Sequence, residues 1–291
     1  MKPERPLKDL NLLDRFLFAQ AMEDEENMRL VLEIILGREL APKQPPQTEK
    51  ESRTTPLYRS VRMDVIAADD EDNIYDTEVQ KRDTYNLPRR SRYYEGFITS
   101  HMLSPGTVDF DCLGDVYVII IAPFDLFGQD RYCYTFQMRC DDEAGLCLGD
   151  GDVRVFLNTH GKNDGEVSKE LVELLHYMEE STPEVARRCE SDRVHRLQER
   201  VEAIKSSEEV NVKYMQAWEE RELDRREARE EGRREGHKEG REEGIKEGYR
   251  RALTEMIRKK LSRGETVDAI ARELEEDEAT IEAFIREMEQ K

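Results

Sequence analysis

Two stretches of alternating residues bring several carboxylates together early in the chain. Residues 62–68 and 74–80 have the period of β-strands, and a cluster of acidic turn residues separates them, so they predict a β-hairpin. Side chains alternate between the two faces of a strand. The polar residues that share faces are Arg62 and Asp64 on the first strand and Asp76, Glu78 and Gln80 on the second. If the register joins these faces, two carboxylates converge beside an amide, and such oxygen ligands suit Mg²⁺. The alternative is a solvated polar face of the hairpin.

A cluster of positive charge follows this hairpin. Residues 81–94 carry five Lys or Arg and one Asp, a net charge of +4, in a chain whose total is −20. The basic and aromatic residues of this segment are Lys81, Arg82, Arg89, Arg90, Arg92, Tyr85, Tyr93 and Tyr94. Arginine forks onto phosphate oxygens and tyrosine can hydrogen-bond or stack, so the segment is suited to a nucleic-acid backbone. The alternative is a helix, starting near Pro88, whose arginines pair with nearby acids.

Composition limits the class of protein. The 291 residues suffice for one substantial domain and an extension, and a hydrophobic content of 37% against a charged content of 38% indicates that part of the length is exposed helix. The net charge argues against a surface coated for nucleic acid but allows a small basic site. The five cysteines form no CxxC pair, which favours reduced thiols in a cytoplasmic protein. The longest apolar run, residues 116–124, is too short to cross a bilayer, so no membrane partner is expected.

The remaining patterns predict an α/β core. Apolar residues recur at helical spacing over residues 7–36, Gly37 ends that helix, and a proline-containing loop follows. The continuous β-branched run at 116–122 is typical of a strand buried on both faces. Residues 132–139 and 153–158 are further strand candidates.

Five short segments occur in one order along residues 53–177. They are Arg62–Asp64, Glu78–Gln80, Leu87–Tyr94, Ala122–Gly128 and Leu148–Thr159. Together they closely resemble the PD-(D/E)XK nuclease-like transposases, also called the Rpn family of recombination-promoting nucleases. The resemblance implies a restriction-endonuclease-like core, a mixed sheet flanked by helices, in which Asp64 and Glu78 hold Mg²⁺ or another divalent cation. It also places Gln80 where the wider superfamily usually has lysine, and Met63 where it has its namesake proline.

The leading hypothesis is a metal-dependent DNA endonuclease of the recombination-promoting, transposase-like class. Its catalytic residues would be Asp64, Glu78 and Gln80, the last orienting a water molecule. Its nucleic-acid-binding residues would be Lys81, Arg89, Arg92 and Tyr93. Glu33, on the first helical segment, is a weaker candidate for the metal site, and a solvated helix glutamate is the preferred interpretation. The alternative function is a catalytically silent nuclease-fold protein that assembles through its helical tail.

The C-terminal part is predicted to be a long charged helical extension. The expected organisation is a nuclease-like core at 1–180, a charged helical connector at 181–248 and a small acidic helical module at 249–291. Five glycines recur every fourth residue from Gly232 to Gly248, which predicts either a helix face for close approach or a semi-flexible connector. The module at 249–291 has the spacing of a helix-turn-helix, but its residues 264–291 carry a net charge of −7, so we expect homo-oligomerisation there rather than DNA binding.

Overall fold

The structure is a computed structural model that describes residues 3, 5–43, 45–52 and 61–289. Residues 53–60, at the start of the segment that resembles the nuclease family, lie outside the described residues, as does the side chain of Arg62. The described residues form a mixed six-stranded sheet with flanking helices. This architecture confirms the predicted α/β core with a long helical extension.

The strands and helices of the described residues have defined bounds. The strands are β1 (Gln47–Ser52), β2 (Val61–Ala68), β3 (Ile74–Val79), β4 (Val116–Ala122), β5 (Cys133–Phe136) and β6 (Asp152–Asn158). The helices of the core are α1 (Arg15–Met22), α2 (Glu25–Leu36), α3 (Leu87–Thr99), α4 (Lys169–Glu179), α5 (Pro183–Ala186) and α6 (Asp192–Ser206). They are followed by α7 (Glu208–Leu261), α8 (Val267–Leu274) and α9 (Glu278–Glu289). Short 3-10 helices occupy Leu7–Asp9 and Asp164–Glu166.

The sheet has the order β1-β2-β3-β4-β6-β5. Strands β1, β2 and β3 pair antiparallel, so the predicted hairpin is confirmed. Strand β3 pairs parallel with β4, and β4 with β6, while β5 closes the far edge antiparallel to β6. Parallel neighbours need a crossover connection, and α3 lies in the one between β3 and β4. The predicted central strand is therefore confirmed as β4.

Two apolar layers cover the sheet, one on each face. Alternate residues of β4 divide between them: Ile119 and Ile121 join a layer formed with α1, α2, α4 and α6, whereas Val118 and Ile120 join a layer that includes Leu87 of α3. All four side chains are buried, as the period-2 alternation of a central strand requires. The α3 face of the sheet is the face on which the carboxylates lie.

The turn of the hairpin is fixed against the start of β4. Asn73 donates its backbone N–H to the Asp69 carboxylate at 2.9 Å, and its side-chain oxygen accepts the N–H of Asp115 at 2.8 Å. Gly114 allows this approach, because a Cβ at that position would lie 2.2 Å from the carbonyl oxygen of Asp72. The contact aligns β3 with β4 and so fixes the position of the polar end of β3.

One prediction for the N-terminal region was wrong and one strand was not predicted. The single helix over 7–36 is divided into α1 and α2, because Asp14 and Asp24 cap separate helices by accepting the N–H groups of Phe16 and Asn27, each at 3.1 Å. The proline-containing loop after Gly37 leads into β1, a strand formed by polar residues and stabilised by its pairing with β2. Gly37 does end α2, with a left-handed φ of 66°.

The tail is helical throughout its glycine repeat. The helix α7 spans 54 residues and includes all five glycines. Residue contacts divide the chain into two compact units, 1–217 and 218–291. In the second unit, Ile257, Ile270 and Ile281 are fully buried in a small apolar core, and Phe284 and Ile285 pack against it. No helix among the described residues is long and apolar enough to span a bilayer.

Candidate active site

The carboxylates lie where β2 and β3 separate. Their ladder runs from Ala68 opposite Ile74 to Val65 opposite Thr77. Past the end of this ladder, carboxylate oxygens accept the backbone N–H groups in place of carbonyl oxygens of the neighbouring strand. Glu78 Oε1 accepts the N–H of Asp64 at 2.8 Å, and Asp64 Oδ2 accepts the N–H of Val79 at 3.3 Å. Both carboxylates therefore share one site on one face of the sheet, as the period-2 argument predicted.

Burial and mutual repulsion perturb the acids of β3. Burial, together with the charge of Asp64, raises the pKa of Glu78 to about 7, even though Arg90 and Arg15 lie nearby. Asp76 is completely buried one pleat earlier, and neither of its carboxylate oxygens has a hydrogen-bond partner within the described residues. Burial and the charges of Glu78 and Asp64 raise the pKa of Asp76 well above its ordinary value. Asp76 was placed on the correct face by sequence but was not chosen as a site residue.

Gln80 extends the same strand by one more pleat. Its backbone N–H donates to Ile121 of β4 at 2.9 Å, so β3 stays paired with β4 after leaving β2. The side-chain amide is held at both ends: Oε1 accepts from Arg90 Nη2 at 2.8 Å, and Nε2 donates to the carbonyl of Arg82 at 2.6 Å. Gln80 is thus fixed in orientation beside Glu78.

Two arginines that sequence reasoning did not select supply the positive charge of the site. Arg15, at the start of α1, forms an ion pair with Asp64, and Arg90 Nη2 lies 3.9 Å from Glu78 Oε2. No local sequence pattern marks Arg15 as a site residue, since it is far from Asp64 in sequence. Arg90 could have been found, because it follows the buried Leu87 by three residues and therefore faces inward on α3.

The predicted nucleic-acid-binding residues differ in their surroundings. Arg89 and Arg92 are exposed on α3, and within the described part of the chain their guanidinium groups have neither an ion pair nor a hydrogen bond. Tyr93 is 45% exposed. Lys81 is exposed but pairs with Asp14 at 2.9 Å. Of the three arginines of α3, the alternative of pairing with nearby acids therefore describes Arg90, while Arg89 and Arg92 remain available to a ligand.

Glu33 lies in the helical layer and has a structural role there. It is buried, and its carboxylate accepts from Arg29 at 3.1 Å and from the N–H of Leu40 at 3.2 Å. A second cation, Arg193 of α6, lies 3.5 Å away. These contacts tie α2 to α6, so Glu33 is a buried structural residue and not the expected solvated glutamate, and none of these partners belongs to the carboxylate site.

The donor set at the site fits a hard divalent cation. Mg²⁺ commonly takes one or two protein carboxylates and keeps several waters, and Asp64 with Glu78 provides two. Within the part of the chain that is described, no three His, Cys, Asp or Glu side chains are arranged to hold a metal ion. Asp76 is the second supporting observation, because both of its carboxylate oxygens are buried beside the pair and have no hydrogen-bond partner within the described residues.

Comparison with protein families agrees with this geometry. A family model described as PD-(D/E)XK nuclease family transposase matches residues 15–235. The match covers the sheet, its flanking helices and the carboxylate site, and the chain belongs to this family. No curated protein and no solved structure matches the chain. Membership supports a nuclease-like, transposase-like function with DNA as the implied substrate, and nucleases of this kind generally use divalent metals.

Proposed function

We propose that the protein is a divalent-metal-dependent DNA endonuclease of the recombination-promoting, transposase-like class. The observation that carries the proposal is the pair of buried carboxylates, Asp64 and Glu78, at the point where β2 and β3 separate. Acids with perturbed pKa values are concentrated at functional sites, and the charge of Asp64 is one cause of the raised pKa of Glu78. Family membership supplies the substrate class, DNA.

Asp64 and Glu78 would hold the cation, with Mg²⁺ as the favoured ion because all donors are oxygens. When bound, Mg²⁺ polarises the scissile phosphate and lowers the pKa of a coordinated water. Arg15 has to release the Asp64 carboxylate before that carboxylate can act as a ligand. Glu78 has a pKa of about 7 without a cation, so its ionisation is coupled to ligand binding near neutral pH.

Gln80 serves as an orienting residue in this proposal. Its amide is neutral, so it cannot exchange a proton with water as a lysine could. With Oε1 and Nε2 already anchored to Arg90 and to the carbonyl of Arg82, it retains one lone pair and one N–H for a water or a phosphate oxygen. The amide would therefore fix the position of the attacking water without changing its protonation.

Four residues would hold the DNA strand beside the cation. Arg89 and Arg92 contribute unpaired guanidinium groups, Tyr93 an exposed ring, and Lys81 an ammonium group that must leave Asp14. The contacts are with phosphates and not with base edges, so they position the duplex without reading its sequence. This local positive charge offsets the repulsion expected from a chain of net charge −20.

The test is a plasmid-nicking assay with the full-length protein in Mg²⁺ or in EDTA. We expect Mg²⁺-dependent nicking that Asp64→Asn and Glu78→Gln abolish, and calorimetric Mg²⁺ binding that both variants weaken. Glu39→Gln is the matched control, since Glu39 is exposed and has no partner in the described residues. Metal binding without the two carboxylates, or nicking that survives their loss, would refute the proposal. An intact protein that binds no metal would favour the catalytically silent alternative.

We also propose that chains assemble through the C-terminal helices. Within the second unit, Ile281 and its apolar neighbours are buried against one another, so the proposed contact between chains does not use them. The support comes from α7, where an added Cβ at Gly240 or Gly244 would meet nothing within 4 Å, and where Ile245 and Tyr249 are 63% and 57% exposed. Small residues beside exposed apolar ones allow close packing of a second helix.

A further inference from the structure

Arg90 has a donor with no acceptor. Its guanidinium reaches Gln80 through Nη2, but its Nε is buried and has no hydrogen-bond partner in the described structure. The 3.9 Å separation from Glu78 is too long for a hydrogen bond, so this carboxylate attracts the charge without using the donor. A buried, unsatisfied donor on a charged group is costly unless a ligand supplies the acceptor.

Tyr94 lies one helical turn after Arg90 and completes the arrangement. The Arg90 guanidinium carbon is 5.7 Å from the centre of the Tyr94 ring, which holds the two side chains together by a cation–π contact. The Tyr94 hydroxyl has no hydrogen-bond partner within the described residues. Burial and the charges of Glu78, Asp76 and Asp64 raise the pKa of Tyr94 to about 12, so the hydroxyl keeps its proton and can donate.

We propose that Arg90 and Tyr94 form a phosphate subsite that binds the non-bridging oxygens of the phosphodiester next to Asp64 and Glu78. This inference rests on the proposed function and names the residues that hold the reacting group. A guanidinium and a phenol present donors only, and a phosphodiester presents acceptors only, so the chemistries match. Both side chains are half-buried at the carboxylate pair, whereas Arg89 and Arg92 are exposed and would contact flanking phosphates.

The subsite also explains how a neutral Gln80 is accommodated. The strand provides no cation at that position, but Arg90 of α3 places one within hydrogen-bonding distance of the Gln80 amide. A guanidinium stays protonated at every working pH, so Arg90 stabilises charge on the phosphate and does not transfer a proton. Gln80 therefore positions Arg90, and Arg90 positions the phosphate.

The experiment uses a probe with a single phosphodiester, thymidine 5′-(4-nitrophenyl phosphate), which cannot reach the flanking arginines. Its dissociation constant is measured by ³¹P NMR titration with the full-length protein in Ca²⁺. We expect Arg90→Gln to weaken binding about tenfold or more, because charge-assisted hydrogen bonds are lost. Tyr94→Phe, which keeps the ring under the guanidinium and removes only the hydroxyl, is expected to weaken it about fivefold. Arg90→Lys should recover only part of the affinity, since it restores the charge but not the fork.

Two controls lose the same groups elsewhere. Tyr117→Phe removes a hydroxyl 3.3 Å from Asp115, and Arg187→Gln removes an exposed guanidinium paired with Glu184. Both are expected to bind the probe as the unaltered protein does. If Arg90 variants do not fold, as judged by circular dichroism, Tyr94→Phe still decides the question.

The outcomes separate this inference from the proposed function. Unchanged probe affinity in both Arg90→Gln and Tyr94→Phe overturns the subsite, and so does an unaltered protein that does not bind the probe. Mg²⁺-dependent nicking that requires Glu78 alongside unchanged probe affinity would leave the proposed function standing without the subsite. Loss of probe affinity in a protein that does not nick DNA would support a phosphate-binding site and reject the endonuclease.

Discussion

Replacing Glu78 with glutamine should change how the stability of the metal-free protein depends on pH. Burial and Asp64 raise the pKa of Glu78 from 4.5 to about 7 in the folded protein. Between these values the folded state keeps a proton that the unfolded state has lost. The stability contribution is therefore fully present below pH 4.5 and is lost as pH rises to about 7.

The size of the effect follows from the same values. One pKa unit corresponds to about 1.4 kcal/mol. Raising the pKa of Glu78 from 4.5 to about 7 thus lowers the free energy of unfolding at high pH by about 3 kcal/mol relative to low pH. About 2 kcal/mol of this loss falls between about pH 5.5 and about pH 8.5, a range that avoids precipitation near the isoelectric point of 4.9. Glu78→Gln keeps an oxygen that can accept the N–H of Asp64 and has no proton to lose, so it should be spared that loss.

Urea titrations in EDTA, followed by near-ultraviolet circular dichroism, measure the difference. All tyrosines except Tyr249 lie within residues 1–217, so their signal reports the unit that contains the site. We expect the free energy of unfolding of the variant to rise relative to the unaltered protein as pH increases. The exposed Glu39→Gln serves as the control and should follow the unaltered protein. A variant whose curve runs parallel to that of the unaltered protein would show that Glu78 does not titrate in a buried acidic site.

The other expectations concern the DNA surface, a close approach in the core and the tail. Replacing Arg89 or Arg92 with alanine should weaken duplex binding for all sequences and reduce the slope of log affinity against log salt by about one per lost phosphate contact. Fluorescence anisotropy measures this slope, and an unchanged slope would exclude the phosphate contact. Gly114→Ala should lower the free energy of unfolding by about 2 kcal/mol or more in the same urea assay, because the added Cβ would meet the backbone of Asp72. Gly165→Ala is the control and should be close to neutral, since a Cβ at that position would have no atom within 4 Å. Gly240→Leu raises helix propensity but blocks close approach, so light scattering should detect a smaller assembly, and an unchanged mass would place the contact elsewhere.

Local pattern was sufficient for much of the fold. The alternation in residues 62–80 and the β-branched run of β4 predicted the hairpin and the central strand, because both signals come from which face of a strand is buried. The same alternation placed Asp64 and Glu78 on one face. The helix over 7–36 was wrong because two aspartate caps act more strongly than continuous apolar spacing, and β1 was missed because a polar edge strand has no hydrophobic period.

The sequence by itself determined which acids could meet, and only the tertiary structure decided their chemistry. The pKa of Glu78 depends on burial beneath α3 and on Asp64, and both arise from the packing of distant segments. Arg15 and Arg90 reach the site from two helices. Spacing shows that Arg90 faces inward on α3, but it does not show that either arginine meets Asp64 or Glu78. Spacing fixes the face of an element on which a side chain lies, whereas charge and solvation are set by whatever the fold brings to that face.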